Sequence, residues 1–554
     1  MAASPAMEKL HKMVAISAIH DGERDEKDDY TGVCHPGTRK DLLEHLKTWA
    51  EDAPTDKRVQ WANAIAGAGK TAMLRTLCAM LEQQSGLPQV SFFDWKGDAR
   101  RNTLRHFPAT IAAQLCRRIP ALVPYVEKAI NEDSFLLQST FKKQMDKLVI
   151  RPLLDACDAL KSERHLTIVV DGIDELDEKG QPEFLSFIPT FLSRLSSLPI
   201  SLLVSSRPDV EIVAAFEHPK LASITKATRL GASDKDIWKF IDEKLDDINL
   251  RYPYLQQRYG GKWPNLEKRT IMVKQSSGLF IWPAVAIGHI DKVDKGLRHN
   301  ERLEQVLSSA EPKPWVASPL DNLYRAILQA HAPEGSAEFS RFIRRLALLC
   351  LPVVLGEFIW EIFGQALDWT DTAVRAVFEE TMDETWDSMA GLSSLVSFRT
   401  PLPNNKSRIL AISHRSLRDF TFNRARCGDK FYYSSERELH AEVACKFIRF
   451  FNTQQAYQVS YIAQDLVVAN ASILQSCTGM GAEFINFTGA FLEAHLKEAA
   501  ISEELGQCMD DVMLDSIPIT WPLVTQLYLI SQLFGGLYDL AESPVSEAVL
   551  DPRL

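Results

Sequence analysis

The run Gly67-Ala68-Gly69-Lys70-Thr71-Ala72 has the residue types that hold a phosphate chain. Glycines let a backbone pass close to an anion, a lysine ammonium reaches β- and γ-phosphates, and a threonine hydroxyl can ligate a divalent cation. The full pattern is G-x-x-x-x-G-K-[ST], preceded by a strand and followed by a helix. Here Ala64 stands where the first glycine is expected. If that position needs a positive φ, alanine costs about 1–2 kcal/mol. That would weaken the cradle but would remove neither Lys70 nor the amide groups. Taken alone, the octet is also compatible with an ordinary Gly/Ala turn.

A second stretch lies about 100 residues further on, "LTIVVDGIDEL" (166–176). An apolar strand ending in Asp171 puts a carboxylate at the lip of a sheet, where it can hold Mg²⁺ through a water or through the Thr71 hydroxyl. Asp174 or Glu175, just beyond, can orient or deprotonate an attacking water. The plainer reading is a strand ending in solvated acids. A third stretch, "LLVSSRPD", ends in Ser205, Ser206 and Arg207. A polar group with an arginine at a strand tip can sense a γ-phosphate and neutralise developing charge, although an isolated arginine is more often a surface cation. The first two stretches in this order, about 100 residues apart and each in strand context, make coincidence a poor explanation.

These residues need elements to position them. "RVQWAN" (58–63), "QVSFFDW" (89–95), "LTIVVD" and "ISLLVSSRPD" (200–209) read as buried strands. Between them, helical patterns run from Lys70 to about Ser85, over 103–119 with an early proline, on to about 162, and over 182–198. Buried strands alternating with helices predict an α/β parallel sheet flanked by helices. Upstream, 37–50 reads as an amphipathic helix with Leu42, Leu43, Leu46 and Trp49 on one stripe and Thr38 as its N-cap. Residues 1–33 are polar and acidic and read as a short N-terminal tail. The expected divisions are a core at 34–232, a helical domain at 233–307, a region at 308–430 with two short strands and a helix after a proline-bearing linker, and a helical C-terminal domain at 431–554.

Composition narrows the function classes. The 554 residues carry a formal net charge of -11, so no global basic field invites nucleic acid. Nine scattered cysteines form no CxxC pair, which suits reduced thiols in a reducing compartment, and cytoplasmic localisation is expected. No signal peptide is read at the N-terminus, and the longest apolar run, 346–355, is too short to span a bilayer.

Together the three motifs resemble those of the NACHT class of STAND P-loop NTPases, and more closely the nephrocystin-type NACHT proteins of filamentous fungi. "CHPGTRKDLLEHLKTWA" (34–50) resembles that family's Cys-x-x-Gly-Thr-Arg lead-in, "VSFFDW…RRNTLRHFPATIAAQL" (90–115) its second strand and next helix, and Gly172 the small residue after its first acid. "GLFIWPAVAI" (278–287) resembles the helix closing over the base side, and "LDNLYRAIL" (320–328) and "ISHRSLRDF" (412–420) resemble the start and end of its winged-helix part. The similarity covers about 34–430; Ala64 is the departure. It implies a NACHT core, a helical lid and a winged-helix region, with Gly67, Ala68, Gly69, Lys70, Thr71 and Ala72 holding ATP/ADP. It further implies Mg²⁺ on Thr71 and Asp171, and Glu175, Asp174 and Arg207 serving hydrolysis. By the same similarity, His414 contacts the β-phosphate from the winged helix, as opposed to being a histidine satisfied in its own turn. Phe280 and Pro283 pack near the adenine or in the core.

Other P-loop classes fit less well. A GTPase needs Asn-Lys-x-Asp, and "NNKSR" (404–408) has Arg408 at the last position. The resulting expectation is an ATP/ADP-binding switch with slow hydrolysis in innate-immunity-like signalling, with protein partners or self-oligomerisation on activation. The competing expectation is a non-catalytic scaffold with a degenerate loop.

Overall fold

The computed structural model describes residues 4–22, 32–52, 56–85, 89–94, 100–156, 165–292, 299–308, 318–331, 334–351 and, with short gaps, 374–449. The expected C-terminal helical domain lies outside the described residues from 450 onward. The chain divides into two compact units, Met1–Val293 with His299–Ala310, and Asp294–Arg298 with Glu311–Leu554.

The first unit opens with helix α1 (Pro5–Lys12). Residues 4–22, expected as part of a polar tail, are instead built into the core: Ala6, Met7, Leu10, Ala15 and Ala18 are buried in the same apolar cluster as the sheet. Ser4 caps the helix, accepting from Met7 N at 3.3 Å, and Pro5 sits at its start, where a missing N–H costs nothing. The helix is only eight residues long, and its apolar stripe is interleaved with Glu8, Lys9, His11 and Lys12. Helix α2 (Lys40–Glu51) follows and buries Leu43, Leu46 and Trp49 as the periodicity predicts. Its N-cap is Arg39, not Thr38, because the Thr38 hydroxyl donates back to His35 O at 2.7 Å.

Next come β1 (Val59–Asn63), α3 (Lys70–Met80), β2 (Gln89–Phe93), α4 (Phe107–Arg118), β3 (Leu166–Asp171), α5 (Gly180–Arg194), β4 (Ile200–Ser206), α6 (Val210–Glu217) and β5 (Thr225–Arg229). The five strands form one parallel sheet in the order β2-β3-β4-β1-β5. β1, β3 and β4 lie inside the sheet and are buried on both faces along almost their whole length. One face packs α1, α4 and α5, and the other packs α2 and α3. The sequence pattern missed β5, "TKATR". It is an edge strand, half exposed and polar, paired with β1 along one side.

Helices α7 (Asp234–Arg251), α8 (Leu266–Ser276), α9 (Ile281–Asp291) and α10 (His299–Ser308) complete the first unit, as the helical pattern at 233–307 predicts. A capping box between Ser233 and Asp236 starts α7. In the second unit, α11 (Pro319–His331), α12 (Ala337–Leu349) and α13 (Met382–Met389) precede an antiparallel pair, β6 (Val396–Arg399) and β7 (Ile409–Ile412), and then α14 (Arg415–Thr421). The two strands and following helix fall where the sequence placed them, while the Pro/Asn turn between them lies outside the described residues.

The docking of residues 4–22 yields a measurable consequence. Leu10 is fully buried, so Leu10→Ala should destabilise the protein by about 2–5 kcal/mol. The check is denaturant unfolding. A change under about 0.5 kcal/mol, the usual range for exposed positions, would show that α1 does not belong to the core.

Candidate functional site

β1 hands the chain through Ala64–Gly69 into α3, whose leading amides lie ahead of any acceptor within the helix. Gly67 and Gly69 have φ of 77° and 82°. A Cβ on Gly67 would meet Ile281 Cγ2 at 2.2 Å, and one on Gly69 would meet the Arg39 guanidinium at 3.1 Å. Both glycines are therefore favoured by conformation, and Gly67 by space as well. Ala64 adopts no positive φ, so the conditional strain considered for it does not arise. It is 3% exposed and packs in the apolar cluster that includes Ala62, Ala68 and Met73. Lys70 Nζ donates to Ala64 O at 3.2 Å. The loop thus uses that residue's carbonyl, and its methyl faces the core.

Asp171 ends β3 and is 2% exposed. Burial raises its carboxyl above the usual range. Hydrogen bonds from the hydroxyls of Ser205 and Thr71, together with the charges of Lys70 and Arg75, oppose that rise. Ser205 also accepts from Gly172 N at 3.0 Å, so β4 fixes both the carboxylate and the turn after it. An acid and a hydroxyl on a helix's first turn are oxygen donors suited to a hard cation, and the glycine cradle beside them accommodates a phosphate chain. Burial pushes the Arg75 guanidinium down to about 10, with Asp171 opposing it.

The remaining expected site residues separate. Asp174 Oδ1 accepts from Arg207 N at 3.0 Å, and its Oδ2 lies 3.1 Å from Arg207 Nε, in a pair whose acid is 2% exposed. This ties the end of β4 to the 3-10 turn Ile173–Glu175. Glu175 lies beside Gly172: a Cβ on that glycine would meet Glu175 Cγ at 3.2 Å. Ala68 and Ala72 occupy the loop and the first turn of α3. Phe280 lies under the Arg39 guanidinium, 4.7 Å from ring centroid to Cζ, and edge-on to Phe240; Pro283 is buried in α9. His414 belongs to the second unit. It caps α14, its Nδ1 accepting from Ser416 N at 3.0 Å and lying 2.7 Å from Ser416 Oγ.

Two residues at the site were not singled out from sequence. Arg39, at φ 56°, donates through its guanidinium to Gly69 O at 3.0 Å and to Ala68 O, while its N donates to Asp236 Oδ1 at 2.8 Å. It holds the back of the phosphate loop and the start of α7 together. Its place in the Cys-x-x-Gly-Thr-Arg stretch was the available signal. Asp94 follows β2, and its N donates to Asp171 O at 2.8 Å. Burial, then the neighbouring charges of Asp171 and Asp174, push its carboxyl well above the usual range, with Arg101 opposing them.

Residues 37–207 match the family described as nephrocystin 3, N-terminal, so the nephrocystin-type resemblance holds for that stretch. The vegetative incompatibility protein HET-E-1 of Podospora anserina is 21% identical over 376 residues, covering 67% of this chain and 25% of that protein. The chain therefore spans about a quarter of the length of that curated relative. Among solved structures, the Walker-type ATPase of Pyrococcus abyssi overlays with TM-score 0.32 at 12% identity, over 68% of this chain and 93% of that one. Cdc6p of Pyrobaculum aerophilum overlays with TM-score 0.28 at 13% identity, over 72% and 95%. The P-loop NTPase fold is evident in the sheet order and the strand–loop–helix at Lys70. No helix among the described residues is long and apolar enough to cross a membrane.

The position of the Ala64 methyl is open to test. Ala64→Gly should leave affinity for a fluorescent ATP analogue within about threefold, and should lower stability by about 1 kcal/mol through the lost methyl and the freer unfolded chain. A tenfold tightening would show that the methyl obstructs the cradle. Gly67→Ala should instead weaken binding by at least about tenfold, since loop and α9 must part to admit a Cβ.

Proposed function

We propose that this chain is an ATP/ADP-dependent molecular switch of the STAND kind with slow ATP hydrolysis. It serves innate-immunity-like signalling related to the vegetative incompatibility named for its Podospora relative. The observation that carries the nucleotide part is the convergence of Thr71, Asp171 and Ser205, hydrogen-bonded together beside the Gly67–Gly69 cradle. Such a cluster places acceptors for a cation and donors for an anion within one turn of each other.

In this reading Thr71 and Asp171 would hold Mg²⁺, which would offset charge on the phosphates. Lys70 exchanges its bond to Ala64 O for the phosphate oxygens. The leading amides of α3 receive the anion, and Glu175 orients the attacking water. Arg207 is paired with Asp174 at the tip of β4. A γ-phosphate competing for that guanidinium would loosen the pair and link nucleotide state to the β4 loop. The second unit supplies a winged-helix region whose His414, at the start of α14, contacts the β-phosphate in a closed ADP form. Exchange to ATP releases that form for self-oligomerisation or partner binding. The rival reading, a scaffold with a degenerate loop, loses its main support because the Ala64 methyl is in the core.

Lys70→Ala should abolish retention of ATP, and Glu175→Gln should retain ATP while stopping turnover. Equilibrium binding with a fluorescent analogue and phosphate release, each on the full chain, read the two effects. Equal ATP retention by wild type and Lys70→Ala would leave only the scaffold.

A further inference from the structure

We propose that Arg39 is a positioning residue for the phosphate chain: its guanidinium turns two successive amides, those of Gly69 and Lys70, towards the anion. This rests on the nucleotide-binding reading above. Gly69 is the N-cap of α3, at φ 82° and ψ 38°, so it sets the direction in which the helix's first amides point. Arg39 Nη1 donates to Gly69 O at 3.0 Å, and Nη2 donates to Ala68 O. Gly69 O also accepts from Met73 N at 3.1 Å, the bond that opens the helix. The guanidinium fork therefore grips the junction of loop and helix, where amides have no acceptor within the helix.

A trans peptide is planar, and its C=O and N–H point opposite ways. With Ala68 O drawn to Arg39, the N–H of Gly69 faces away from it. With Gly69 O drawn the same way, the N–H of Lys70 does so as well. Neither peptide can rotate without losing a bond to a buried cation. A planar fork with donors at fixed spacing suits two neighbouring carbonyls, whereas an ammonium on a flexible stem does not fix both.

The residue that carries the fork is costly to the fold. Its φ of 56° is a conformation that a non-glycine residue adopts under strain. It is 4% exposed. Its guanidinium meets the two carbonyls, Cys34 and the face of Phe280, and its Nε has no hydrogen-bond partner among the described residues. Asp236 accepts from the main-chain N of Arg39 at 2.8 Å, which holds the turn and not the fork. A buried guanidinium held by neutral groups leaves positive charge behind the loop, and an anion in front of the loop offsets it. Arg58 is the contrasting case. It too donates to carbonyls, those of Leu192, Leu195, Leu198 and Ile200, but it stands just ahead of β1, at the opposite end of the sheet.

The test uses the full chain carrying Arg39→Met, Arg39→Lys or Arg58→Met. It measures affinity for fluorescent analogues of ATP and ADP well below the melting temperature, and the melting temperature without nucleotide. Arg39→Met should weaken both nucleotides by about 30-fold or more, because a hydrogen bond to a charged group is worth about tenfold or more and two amides lose their aim. Arg39→Lys keeps the charge but cannot hold both carbonyls, and should weaken binding by about three- to tenfold. Arg58→Met should lower the melting temperature and leave affinity within about threefold of wild type, as for a distant, independent site. Affinity unchanged within that margin in Arg39→Met overturns the proposal. So does an Arg58→Met protein that loses as much affinity as Arg39→Met, since the loss then follows stability alone. Where Arg39→Met does not fold, Arg39→Lys decides, and wild-type affinity in it overturns the proposal. A wild type that binds neither nucleotide removes the nucleotide-binding reading itself, and this inference with it.

Discussion

The site depends on a buried carboxylate, Asp171, kept in place by hydroxyls from two other elements. Ser205 reaches it from β4 and Thr71 from the first turn of α3. A lone acid at 2% exposure is costly, and hydrogen bonds to its charged form offset that cost. The geometry requires β3 and β4 in register, with Val170 opposite Val204, so that Asp171 and Ser205 follow side by side. A slip of one residue would turn one of the two to the other face of the sheet. The apolar runs that bury both faces are therefore also what aligns the polar tips.

The phosphate loop is held from behind in a complementary way. Its carbonyls are taken by protein donors: Ala68 and Gly69 by Arg39, Gly67 by Ile281 N at 3.3 Å, and Ala64 by Lys70. A loop whose carbonyls are occupied on one side presents amides on the other, which is the polarity an anion needs. Arg39 and Ile281 come from outside the sheet, so the loop's shape is shared property of the core and the helices after it. That sharing ties the helices at 233–307 to the shape of the loop.

Much of this was legible in sequence because it is local. β1, β3 and β4 show as apolar runs, α2 as a stripe of Leu43, Leu46 and Trp49, and the loop and acids as linear patterns. What escaped notice has reasons in context. β5 is a strand because β1 offers it an edge, and its polar residues carry no apolar signal. Thr38 has the right type for a cap, but His35 O takes its hydroxyl, and Arg39 makes the turn. α1 buries a short stripe, Ala6, Met7 and Leu10, set among charged and polar residues. Asp94 lay unremarked within the strand read over 89–95, and only its neighbours in the fold make it a buried acid.

The sequence by itself determined which groups are available: a lysine and a threonine at the start of a helix, and acids after apolar strands. These are set by spacing, and spacing within one element converts directly into position. Tertiary structure alone decided which of those groups are committed. It turned the Ala64 methyl into the core, paired Asp174 with Arg207, bound Asp171 to Ser205 and left the Asp94 carboxyl without a partner among the described residues. Each outcome depends on contacts between segments far apart in the chain. Burial, dielectric and hydrogen-bond competition at a residue are properties of those neighbours and are not encoded in the residue's own stretch.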